Sequence, residues 1–105
     1  MLNQIVLVGR VKEMPIIKET SQGNKVATLI MEVERNFKNS AGECEYDNFQ
    51  VTLWRGMADE CEANCSVGAI VGVKGRLQAN NYMKDDIIYY KGDIVAEKIS
   101  VLTKS

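Results

Sequence analysis

The sequence predicts an all-β fold carrying one short helix and closed into a small five-stranded barrel. Three observations lead there. Apolar and polar residues alternate with a period of two in several separate runs, as strands with one buried face require. The period breaks over residues 57–65, where a short amphipathic helix fits. Glycines at positions 9, 72, 75 and 92 fall in or beside strand runs, where closure demands sharp coiling.

Each element carries its own local signal. Residues 3–10 are a short β-branched run ended by glycine and read as the first strand. Pro15 and the Ser-Gln-Gly-Asn cluster at 21–24 make the next stretch an irregular, edge-like segment and a tight turn. From 26 to 34, Ala27, Leu29, Met31 and Val33 face one way and Thr28, Glu32 and Glu34 the other, with Ile30 as the exception. Residues 37–43 have the polar side chains and glycine of a long hairpin loop. Between Tyr46 and Trp54, the apolar set Phe49, Val51 and Leu53 lies opposite Asn48, Gln50, Thr52 and Trp54. Gly68 closes the helix. A long strand then runs from 69 to about 82, a hairpin turn falls near 83–86, and a last strand covers 87 to about 102 with a break at Gly92. A Greek-key barrel of five strands with its helix between the third and fourth is the OB-fold, a scaffold for oligonucleotides or oligosaccharides. Barrel geometry alone does not choose among functions.

The chain has 105 residues, the size of one domain over 1–105, with 46% hydrophobic and 26% charged residues, values of a soluble globular chain. No apolar run approaches the ~20 residues that cross a bilayer, so a cytoplasmic address without membrane contact is expected. Cys44, Cys61 and Cys65 are an odd count, read as reduced thiols. The spacing of Cys61 and Cys65 would stack them on one helix face, but histidine is absent from the sequence, so small buried residues are favoured over a metal site. No cofactor is implied.

One run stands apart. Lys74, Arg76, Gln78, Asn80, Tyr82 and Lys84 share one parity, and Val71, Val73, Gly75, Leu77 and Ala79 the other. An apolar face backing a cationic, amide-rich face with an aromatic ring suits a sheet that packs inward and holds a polyanion outward. The whole chain opposes simple electrostatics, since its net charge is -1. Carboxylates concentrate in 32–47 and 59–62, which leaves 74–84 cationic and able to form a local positive groove.

Met1-Leu-Asn-Gln-Ile-Val-Leu-Val-Gly-Arg10, Gly23-Asn-Lys-Val-Ala-Thr28, Val33-Glu-Arg-Asn-Phe37, Phe49-Gln-Val-Thr-Leu-Trp54 and Val71-Gly-Val-Lys-Gly-Arg-Leu77 closely resemble the bacterial single-stranded DNA-binding protein family, in the family's order and nearly its spacing. Residues 95–102 resemble its last strand, so the likeness spans essentially the whole chain. The resemblance implies an OB-fold subunit that assembles, usually as a homotetramer with a dimer as the alternative. It also implies sequence-tolerant binding of single-stranded DNA in replication, recombination or repair, in association with the nucleoid. Position by position, it makes Phe37, Trp54 and Tyr82 the stacking rings, with Lys74, Arg76 and Lys84 as phosphate contacts. Arg10, Arg35, Lys38 and Arg55 complete the candidate set, although solvated surface charge is the default for such residues. A lone strand-end tryptophan is commonly a core anchor; the parity of Trp54 with Asn48, Gln50 and Thr52 argues for an outward ring.

Departures from the family pattern matter. An aromatic is common six residues before Trp54, where this chain has Asn48, and Glu32 and Glu34 stand at places usually neutral. Family members continue beyond the barrel into a linker and an acidic tip that recruits replication proteins. The chain stops at Ser105, so recruitment by that route is not expected, whether the form is naturally short or shortened. The rival reading is an OB-fold interaction module, a primosome-like or mobile-element paralogue with weak or no nucleic-acid binding. An enzyme is disfavoured, because there is no histidine, no nucleophile elbow and no phosphate-cradling loop, and alternation splits Asp85 from Asp86.

Overall fold

The computed structural model describes residues 1–104. Strands β1 (Ile5–Val11), β2 (Ile16–Glu19), β3 (Lys25–Glu34) and β4 (Tyr46–Trp54) precede helix α1 (Gly56–Asn64). Strands β5 (Ile70–Ala79), β6 (Tyr82–Lys84), β7 (Ile87–Tyr89) and β8 (Gly92–Thr103) come after it. The main sheet runs β1-β5-β8-β4-β3-β2, and a further β1–β3 pairing closes β1, β5, β8, β4 and β3 into a five-stranded barrel. Every ladder in it is antiparallel except β4–β8, which is parallel and holds only Val51↔Ile94 and Thr52↔Val95. The fold is the predicted one.

Alternation sorts the residues as the period of two requires. Ala27, Leu29 and Met31 of β3, Val51 and Leu53 of β4, and Val71 and Val73 of β5 are buried in one cluster. Helix α1 packs over β3, β4 and β8 and adds Ala58 and Cys61, with Cys65 buried just past its end. A hydrogen bond between the two thiols and burial push the Cys61 thiol up from its ordinary value, so it packs as an apolar group. Two glycines permit closure. A methyl group on Gly9 would collide with the Glu32 carbonyl where β1 meets β3, and one on Gly75 with the Val95 carbonyl. The β5–β8 register slips beside that second approach, between Lys74 and Gly75.

The second half of the chain departs from expectation. The strand read as 69–82 ends at Ala79, and Tyr82 lies in β6, which pairs with β7 as a separate two-stranded sheet. The interruption read at Gly92 falls at Tyr90 and Lys91, so β8 begins with the glycine. Leu77, expected on the inward face, is 50% exposed, in the part of β5 beyond Gly75, where pairing with β1 has ended and only β8 remains beside it. Asp85 and Asp86, both at positive φ (53° and 62°), form the hairpin turn within the predicted 83–86. The segment after Pro15 is edge strand β2, as its irregular reading allowed.

Arg55, between β4 and α1, carries a φ of 55° with ψ of -118°, a region that glycine occupies far more readily. The carbonyl of Lys25 accepts from the Arg55 N–H at 2.8 Å and fastens the bend. Replacing Arg55 by glycine is therefore expected to stabilise the fold by about 1 kcal/mol, read as a higher Tm in thermal unfolding followed by circular dichroism. A lower Tm would mean that the arginine side chain contributes more than its backbone strain costs.

Candidate nucleic-acid interface

Residues directly paired across a ladder share a face, so the registers assemble the outer wall of the barrel. One row runs Lys18–Val26–Trp54 across β2, β3 and β4. The next runs Ile16–Thr28–Thr52–Val95–Arg76 and reaches β5 through β8. Beyond it, Ile30 stands beside Gln50, and Asp93 beside Gln78. Glu32 then lies between Asn48 and Arg10, and Glu34 opposite Tyr46. Trp54 is 39% exposed, outward as parity argues, while its neighbours Val51 and Leu53 are fully buried. Val95 is buried yet belongs to this outer wall rather than to the core cluster, between Arg76 and Thr52.

The other rings stand on loops. Both the 35–45 connection and the β6–β7 hairpin leave the end of the barrel where β4 begins, at the far end of that strand from Trp54. Phe37 is 77% exposed and lines a cleft of about 690 Å³ where β1 and β3 diverge, together with Val6, Leu7, Val33 and Phe49. Tyr82 stacks on Tyr89 with centroids 5.1 Å apart and planes 13° from parallel. The Lys91 ammonium sits 5.5 Å from the Tyr82 centroid. Cross-strand pairing sets Lys84 and Ile87 on the face of these two rings and Met83 and Ile88 on the other.

The cations divide into committed and available. The Arg35 guanidinium donates two hydrogen bonds to Asp47, at 3.0 and 2.9 Å, and one to Glu45 at 2.8 Å. The hydrogen bonds from Arg35 to Asp47 and the guanidinium's positive charge hold the Asp47 carboxyl below its ordinary value. The clamp is accordingly in place at neutral pH and is lost as pH falls through the folded-state value. Arg76 reaches Glu97 at 3.5 Å and donates to the Gln78 side-chain oxygen at 3.2 Å. Lys25 is held by Asp59 and Glu62, and Lys12 by Glu32. Among the described residues no carboxylate pairs with Arg10, Lys38, Arg55, Lys74 or Lys84.

These contacts correct the simple picture of a cationic 74–84 face. The parity drawn from Lys74 to Lys84 does not run through, because Asn80 and Asn81 separate β5 from the hairpin. Lys74 faces Val6 and Lys98 on the β1–β5–β8 wall. Asp93 and Glu97 of β8 set negative charge beside Gln78 and Arg76. Strand alternation is blind to a neighbouring strand and so missed both carboxylates. It also missed Lys18, which has no carboxylate partner and shares the row of Trp54, because β2 read as irregular. Tyr46, Tyr89 and Lys91 were missed as well. The even-number parity of β4 marks Tyr46 as an outward ring, but only the hairpin register joins Tyr89 to Tyr82.

Exposed rings have faces on which flat heterocycles can stack, amides can pair with heterocycle edges, and scattered free cations can meet a polyanion. The fold resembles a crystal structure of a deletion mutant of the single-stranded DNA binding protein from Thermus aquaticus, with a TM-score of 0.78 at 24% identity over 96% of this chain and 50% of that one. Single-stranded DNA-binding protein B of Bacillus subtilis is 38% identical over 100 residues, which cover 94% of this chain and 88% of that protein. Single-stranded DNA-binding protein 3 of Listeria innocua is 40% identical over 103 residues, covering 97% of this chain and 64% of that protein. The Single-strand binding protein family matches residues 2–102. The chain belongs to that family, a family of binding proteins rather than enzymes.

Proposed function

We propose that this protein binds single-stranded DNA with little sequence demand, by stacking bases on exposed rings and meeting phosphates with unpaired cations. The observation that carries the reading is Trp54. Its indole is exposed on the outer wall at the end of a polar strand, in one row with unpaired Lys18 and next to unpaired Arg55. Phe37 and the Tyr82–Tyr89 pair offer further rings, and Lys38, Lys84 and Arg10 further unpaired charge. Service in replication, recombination or repair, within the cytoplasm and near the nucleoid, belongs to the same proposal. No helix among the described residues is long and apolar enough to cross a membrane.

Trp54 is the only tryptophan, so its fluorescence reports directly. Oligo-dT is expected to quench it, with log affinity falling linearly with log salt. Trp54→Ala should weaken binding by about 1–3 kcal/mol while the far-ultraviolet spectrum stays unchanged. Unchanged emission at saturating oligonucleotide, in folded protein, would instead support the interaction module, for which the exposed Met83, Ile88 and Tyr90 supply an apolar surface.

The Arg35 clamp withholds one cation. Asp47→Asn combined with Glu45→Gln is expected to strengthen oligo-dT binding and to steepen the salt slope by about 0.7, one added phosphate on a single strand. An unaltered slope would show that Arg35 does not reach DNA even when released.

Self-assembly is part of the proposal. Val6, Val8 and Leu102 are exposed around Gly72 on the β1–β5–β8 wall, an apolar surface that a second copy would cover. Light scattering is expected to give a multiple of the 11.7 kDa chain mass. Val8→Glu should reduce the mass to that of one chain without unfolding it, and an unchanged mass would place the contact elsewhere.

A further inference from the structure

We propose that Asn3 is a positioning residue for single-stranded DNA binding: its side-chain amide fixes the angle at which the β6–β7 hairpin presents Tyr82 and Tyr89. The inference rests on the single-stranded DNA reading above and adds to it a residue that carries neither a ring nor a charge.

The β1–β5 ladder ends at Ile5↔Gly75, and continuing its register would set Asn3 opposite Leu77. Asn3 lies ahead of β1, yet its side chain makes both bonds that a strand backbone would make there. Its Nδ2 donates to the Leu77 carbonyl at 2.6 Å, and its Oδ1 accepts from the Leu77 N–H at 2.9 Å. A carboxamide can do this because it offers an N–H and a C=O side by side, as a peptide edge does. On the opposite edge Leu77 pairs with Ile94, which pairs in turn with Val51 of β4. Asn3, Leu77, Ile94 and Val51 therefore make the last row of the arm that is held from both sides.

Past that row only two strands continue. Gln78↔Asp93 and Ala79↔Gly92 extend the β5–β8 ladder, and the Asn80 N–H donates to the Lys91 carbonyl at 2.8 Å. The Lys91 N–H donates to the Asn81 Oδ1 at 3.3 Å, after which Tyr82↔Tyr89 opens the hairpin ladder. Every residue from 77 to 93 is exposed, so no buried packing steadies this ribbon against the barrel. A two-stranded ribbon has little stiffness of its own, and its direction is set at the root. With the Asn3 amide in place both edges of the root are fixed. Without it the two β4–β8 pairs remain as a one-sided attachment about which the ribbon can swing. Binding must then first order the ring pair, which weakens affinity without removing any group that touches DNA.

The test titrates oligo-dT into wild type and Asn3→Ala, each also carrying Tyr82→Ala with Tyr89→Ala, and follows backbone amide hydrogen exchange. Asn3→Ala is expected to speed exchange of the Leu77 amide while the core amides of Leu29 and Val71 keep their protection, which shows the barrel folded. Its affinity for oligo-dT should fall about fivefold. In the background without the two rings the same change should cost less than about twofold, because nothing remains on the hairpin for Asn3 to aim. A merely structural role would cost the same in both backgrounds. Unchanged Leu77 exchange overturns the tie, and unchanged affinity or an equal loss in both backgrounds overturns the positioning role. Failure of wild type to bind oligo-dT overturns the single-stranded DNA reading itself.

Discussion

Barrel closure depends on two places where backbone meets backbone with no room for a side chain. At Gly9 the first strand approaches the carbonyl of Glu32, and at Gly75 the fifth approaches the carbonyl of Val95. The first approach lets β1 pair with β3 at Arg10 and Val11, without which the sheet would have open edges. The second accompanies the slip in the β5–β8 register, which brings Arg76 opposite Val95 and so into the row that includes Thr52. The outer wall is therefore a consequence of closure: its rows exist because the strands coil far enough to align residues distant in sequence.

The wall is not a cationic stripe. Carboxylates from neighbouring strands, the 35–45 connection and helix α1 take up Lys12, Lys25, Arg35 and Arg76, in agreement with a net charge of -1. Exposed pairs of this kind contribute little to stability, so their main consequence is for recognition. They lower the positive potential available to a phosphate backbone and leave a larger share of the attraction to rings and amide edges. Lys18, Arg55, Lys84 and the Lys91 ammonium near Tyr82 remain dispersed around the rings rather than gathered in one patch.

Much of this was legible in the residues. The inward set Leu29, Met31, Val51, Leu53, Val71 and Val73 and the outward aim of Trp54 come from the period of two, a local property of an extended backbone. The helix between the third and fourth barrel strands and the glycines of closure are local signals too. Where the reading failed, a distant partner decided. Leu77 and Ala79 are exposed because β5 runs past the end of its pairing with β1 at Gly75, and Tyr82 left the parity of Lys74 because two asparagines interrupt the strand.

The order of the barrel strands and helix, the faces of β3, β4 and the first part of β5, and the choice of an OB-fold barrel were thus determined by the chain alone, since alternation and turn chemistry act between near neighbours. Which charge stands beside which was decided only by the tertiary structure. Asp93 lies next to Gln78, Glu97 against Arg76, Asp47 on Arg35 and Lys18 in line with Trp54 because non-local ladders and loop contacts put them there. Strand period tells a side chain which way to point, and only pairing tells it what it meets.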